Sequence, residues 1–109
     1  MSYFDRQGGE IAHEEWKKLF SDREYQRLAI TEIGEYTVLT VWLGRNHSLP
    51  GDKPEIFETM VFPARSLAEL AFMRYATEAE ANAGHTLAVK ATLLYGDIPP
   101  RERGALVLE

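Results

Sequence analysis

Tyr36-Thr37-Val38-Leu39-Thr40-Val41-Trp42-Leu43 decides the fold. Every residue in it is apolar, aromatic or β-branched, and all favour a pleated, buried surface. It predicts a strand over residues 36–43. Period-two geometry sends Leu39, Val41 and Leu43 to one face and Tyr36, Val38 and Trp42 to the other. Both faces are apolar, whereas a sheet with one solvated face alternates more cleanly. Either helices cover both faces, or the second face is an interface with another copy, and a homodimer is expected.

Working outward, Ile33-Gly34-Glu35-Tyr36 joins this strand to an earlier one at about 26–33. Gly34 supplies the permissive position of a tight hairpin turn. Residues 44–54 form a long loop punctuated by glycine and proline. A third strand follows over 55–62, stopped by Pro63. It places Phe57 and Val61 opposite Ile56, Met60 and Phe62. Residues 65–72 read as a short helix or turn, and Met73-Arg74-Tyr75 as a short fourth strand.

Helices flank these strands. Residues 10–20 carry Ala12, Trp16, Leu19 and Phe20 at helical spacing, and Glu14 sits four residues before Lys18. Ser21 with Glu24 suggests a capping box for one more turn. The last helix starts at Thr77, with Glu80 completing a capping box, and ends near Leu94 or Tyr95. Gly96 and Pro99-Pro100 forbid its continuation. Its predicted core stripe is Ala83, Leu87, Ala91 and Leu94. The fold class is therefore α+β: a small antiparallel sheet of three to four strands, an N-terminal helix and a long C-terminal helix. Residues 1–9 are expected to be a flexible or loosely docked arm, residues 10–96 one domain, and residues 97–109 a tail whose Val107 and Leu108 favour docking.

Composition bounds the function. The 109 residues suffice for one domain. With 45% hydrophobic and 27% charged residues wholesale disorder is not expected, and no run approaches the roughly 18 apolar residues of a membrane span, so no transmembrane segment is expected. Seventeen acids against twelve bases give a net charge of −5. That disfavours direct nucleic-acid binding, which needs a basic surface. The acidic excess reads as a solubility feature, or more sharply as a decoy for a nucleic-acid-binding partner. The absence of cysteine excludes disulfides, thiolate metal sites and a Cys nucleophile. The N-terminus has no apolar signal core, so the cytoplasm is the default location.

The candidate ligand-binding residues are Trp42, Arg45, Asn46, His47, Glu58, Arg74 and His85. Arg45, Asn46 and His47 sit on the long loop, where function often resides; the alternative is a solvated turn. Trp42, just before that loop, is either core or a stacking platform. Glu58 interrupts an apolar strand. Its carboxylate is in water at a sheet edge, is functional, or is paired with Arg45, Arg74 or a histidine. His85 lies opposite the predicted core stripe, beside Ala81, Ala88 and Thr92. It is exposed, packed on a dimer mate, or part of a site, and neighbouring Gly84 suggests close packing. His13, His47 and His85 lack metal-ligand spacing, and no nucleotide or hydrolase motif is present. No metal or cofactor is expected.

Three strings together carry a resemblance: Thr40-Val41-Trp42-Leu43-Gly44 followed by Asn46-His47; Ile56-Phe57-Glu58-Thr59-Met60-Val61-Phe62; and Arg74-Tyr75-Ala76-Thr77-Glu78 leading to Ala81 and Gly84-His85. Over residues 25–90 the chain resembles a family of small proteins of unassigned function encoded by tailed phages and prophages, especially of actinobacteria. That family often has Asp before the His, where this chain has Asn46. The tail after Leu94 is particular to this chain. The resemblance implies a phage accessory protein made in the host cytoplasm and brings no catalytic residues.

The small α+β scaffold, the two-faced sheet and the lack of a complete catalytic constellation favour a non-enzymatic binding module; the resemblance implies that it acts on a host or phage component, as a host-defence inhibitor or a nucleotide sponge. Arg45, Lys53, Arg65 and Arg74 are the cations that an anionic nucleotide would need. The alternatives are a small enzyme using His47, Glu58 and His85 for acid–base chemistry, and a virion or assembly component.

Overall fold

The computed structural model describes residues 1–46, 51, 53–63 and 71–95. Four antiparallel strands form the central sheet in the order β3-β4-β5-β6: β3 Arg27–Ile33, β4 Tyr36–Trp42, β5 Phe57–Pro63 and β6 Ala71–Tyr75. The predicted hairpin joins β3 to β4, with Ile33 opposite Tyr36. Gly34 adopts φ +56° while Glu35 keeps a negative φ. A glycine at the first central position with this handedness matches the right-handed twist of the strands.

One helix, α3 Glu78–Tyr95, packs across all four strands. Its start is the predicted capping box. The Glu80 amide donates to Thr77 Oγ1 at 3.1 Å, and the Thr77 amide donates back to Glu80 Oε1 at 3.1 Å. Val38 and Val61 pack with Ala88, while Trp42, Ile56, Phe57 and Tyr75 pack with Ala81. Ile56 precedes β5 instead of lying within it. Its carbonyl accepts from the Leu43 amide at 2.7 Å, and its side chain joins the Trp42 cluster.

The predicted core stripe of α3 is overturned at Ala83, Leu87 and Leu94, while Ala91 is half-buried against the Val38, Val61 and Ala88 cluster. The buried residues are Ala81, Gly84, His85, Ala88 and Thr92. Leu87, Leu93 and Leu94 are 61%, 65% and 75% exposed. The physical reason is distance. A Cβ on Gly84 would run into the Tyr75 ring and hydroxyl, so only small residues let the helix come this close to the sheet.

The N-terminal residues form a defined structure, unlike the loose arm expected from Gly8-Gly9. β1 Tyr3–Phe4 pairs with β2 Glu10–Ile11. The hairpin docks through the Phe4 amide, which donates to the Gly44 carbonyl at 2.8 Å, and through the Phe4 carbonyl, which accepts from Trp42 Nε1 at 3.0 Å. The first helix, α1 His13–Phe20, follows it. A single further turn, α2 Arg23–Gln26, is capped by Asp22 and not by Ser21. The Asp22 carboxylate accepts from the Glu24 and Tyr25 amides at 3.1 and 3.2 Å.

The sheet's other face carries Leu39, Val41, Met60 and Phe62, with Ile30 47% exposed. Among the described residues no helix lies across it. The expected helix or turn over 65–72 falls mostly outside the described residues, as do the tail 97–109 and Arg65.

Candidate functional site

Each predicted site residue acquires a definite environment. Trp42 is fully buried, its indole N–H satisfied by the Phe4 carbonyl and its ring met edge-on by Tyr25 at 4.9 Å. It is core, and the stacking-platform alternative is excluded because neither ring face is open to a ligand. Arg45 pairs with Tyr3 in an isolated bridge, and its guanidinium lies 5.4 Å from the Trp16 ring centroid, within cation–π range. Asn46 is exposed beside it. His47 lies outside the described residues.

The sequence reading missed what surrounds Arg45. Tyr3, His13, Trp16 and Phe20 form a continuous row of rings: Tyr3 stacks on His13 at 4.8 Å, and Trp16 lies 4.8 Å from both Tyr3 and Phe20. His13, Trp16 and Phe20 are spaced i, i+3, i+7, and that spacing is the signal that could have found them. Trp16 Nε1 donates to the Leu43 carbonyl at 2.9 Å. Gly44, at φ +71°, passes so close that a Cβ there would run into the Trp42 and Trp16 rings. The row therefore fastens α1 to the loop after β4.

Arg6 makes a second tie. Its Nε donates to Glu78 Oε1 at 2.8 Å, joining the N-terminal hairpin to the first turn of α3. That hydrogen bond raises the Arg6 pKa and lowers that of Glu78.

Glu58 is 8% exposed and faces Arg74, its register partner on β6. Arg74 Nε donates to Glu58 Oε2 at 3.2 Å. Of the three alternatives for Glu58, the structure selects the ion pair with Arg74 over a solvated edge position. Arg74 also lines a cleft of about 260 Å³ with Lys53, Glu55, Tyr75 and Glu80. Its two cations and two carboxylates leave no net charge to select an anion. A groove of about 230 Å³ on the sheet face away from α3 is lined by Ile30, Leu39 and Val41 together with Arg23 and Arg27.

His85 is 8% exposed and sits between α3 and the sheet. Its Nε2 is 2.9 Å from Thr31 Oγ1 on β3, and its Nδ1 is 2.7 Å from Thr40 Oγ1 on β4. Thr40 in turn bonds Thr59 Oγ1 on β5. Burial lowers the His85 pKa, which favours the neutral ring. A neutral imidazole donates through one nitrogen and accepts through the other, so both threonine contacts are satisfied in either tautomer. The Tyr75 hydroxyl lies close by against Gly84, and burial raises its pKa, opposed by the nearby Thr59 hydroxyl. The ring is enclosed between α3 and the sheet and is not exposed on the helix. It links three strands to one helix.

Thr59 and Glu58 are adjacent on β5, so their side chains leave opposite faces of the sheet. Thr59 belongs to the His85 network, and Glu58 is on the other side. The structure therefore does not bring Glu58 and His85 together. Among the described residues, no three His, Asp or Glu side chains gather as a metal site, and no helix is long and apolar enough to cross a membrane. Compared with known proteins, the chain matches no family model, no curated protein and no solved structure.

Proposed function

We propose that this protein is a non-enzymatic binding module whose contact surface is the outward face of α3. The observation that carries this reading is the exposure of Leu87, Leu93 and Leu94 on the one long helix. An apolar helix face left open on a small domain marks an interaction site. The chemically capable side chains add support, because Trp42, Glu58 and His85 each take partners within the fold. In this reading, which takes up the resemblance to small phage-encoded proteins, the module is a phage accessory protein of the host cytoplasm that works as a homodimer on a host or phage component.

Native mass spectrometry of protein released gently from host-like lysate tests the reading. The expected spectrum shows the chain carrying additional mass, either a second copy or another polypeptide. The Leu87→Asp/Leu94→Asp double variant is expected to lose it. Bare monomer for both proteins would overturn the assignment of this face as a binding surface.

A further inference from the structure

The outward face of α3 carries an order of residues that complements itself. Glu80, Ala83, Leu87, Lys90 and Leu94 recur at alternating spacings of three and four. That is the seam by which one helix packs against another. All five are exposed, and they lie away from the row of Ala81, Gly84, His85, Ala88 and Thr92 that meets the sheet. Leu93 flanks the seam.

Charge selects the occupant and its direction. In a parallel pair of such helices, each residue would meet its own copy. Glu80 would face Glu80 and Lys90 would face Lys90, and both contacts repel. In an antiparallel pair with a twofold axis at Leu87, Leu87 alone meets itself. Lys90 then lies across from the second copy's Ala83, and Leu94 lies across from the methylenes of its Glu80. Ala83 leaves room for the lysine stem to lie along the partner helix. Lys90 and Glu80 then no longer meet their own copies, so neither repulsive contact forms. Antiparallel helix dipoles also attract. Large faces small, and no like charges meet, at both ends of the seam.

We propose that a second copy of this chain docks on this face, α3 against α3, antiparallel about a twofold axis at Leu87. The inference rests on the binding-face reading above and adds the partner and the geometry.

The chain has no cysteine, so introduced thiols report alone. Under mild oxidation Leu87→Cys is expected to form a covalent dimer in high yield. Ala83→Cys alone is expected to stay monomeric on a denaturing gel, whereas Ala83→Cys mixed with Lys90→Cys cross-links. Self-cross-linking of Ala83→Cys as readily as Leu87→Cys would overturn the antiparallel register. Failure of Leu87→Cys to cross-link, at a concentration where the wild type sediments as a dimer, would put the interface elsewhere. A wild type that sediments only as monomer overturns the self-pairing. If that monomer still holds a foreign chain through Leu87, the binding-face reading survives its loss.

Discussion

His85 shows how a chemically versatile side chain can be committed to structure. Its hydrogen-bond partners, Thr31 and Thr40, are neutral, and its burial opposes a charge that no carboxylate compensates. Its folded pKa is lowered from 6.5, the value expected when unfolded. Below 6.5 the unfolded chain therefore binds a proton more readily than the folded chain does. The His85 contribution is fully present above that pH and is lost as pH falls through it. Urea unfolding of the wild type should show stability rising from pH 5 to pH 7, and a His85→Gln variant should show a flatter rise. Equal slopes for the two proteins would refute the burial of an uncompensated imidazole. Glu58 makes the complementary point. Its position in an apolar strand exposed the need for a partner, and the sequence named Arg74 among the alternatives. Only the β5–β6 register, Glu58 opposite Arg74, chooses between them.

At the scale of elements, the four strands of the central sheet and the cap of α3 were legible, whereas the β1–β2 pair, the Asp22 cap of α2 and the orientation of α3 were not. Dense β-branched and aromatic runs marked β4, and Thr77 with Glu80 marked the start of α3, because these signals act locally. The buried face of α3 depends on what the sheet presents. That surface offers Thr31, Thr40 and Thr59 hydroxyls and the Tyr75 ring, so it accepts a histidine and small residues in place of leucines. Hydrophobicity alone pointed to Leu87 and Leu94 as core. The row of Ala81, Gly84, His85, Ala88 and Thr92 was visible in the sequence, but its closeness to a strand was not. Gly84 measures that closeness. Alanine would gain about 1 kcal/mol of helix propensity over glycine. Its methyl would have to displace the buried Tyr75 ring, and such overpacking costs ~1–3 kcal/mol. Gly84→Ala should therefore lower the thermal midpoint. An unchanged or higher midpoint would show that α3 does not press on Tyr75.

For the whole molecule, the N-terminal hairpin, α1 and the loop after β4 close one end of the sheet, and Arg6 ties that assembly to α3 through Glu78. None of these long-range ties was legible, since each joins segments far apart in sequence through backbone carbonyls or a single ion pair. The expected two-faced sheet takes a specific form: α3 covers one face, and the leucines predicted as core become the outward surface of the molecule. That surface is the central claim, and sedimentation velocity on the wild type, Leu87→Asp and Ala88→Asp side by side tests it most directly. The wild type should sediment as a dimer, Leu87→Asp as a compact monomer, and Ala88→Asp as an expanded chain that has lost its core. A compact Ala88→Asp beside an expanded Leu87→Asp, or a Leu87→Asp that stays associated, would contradict the account.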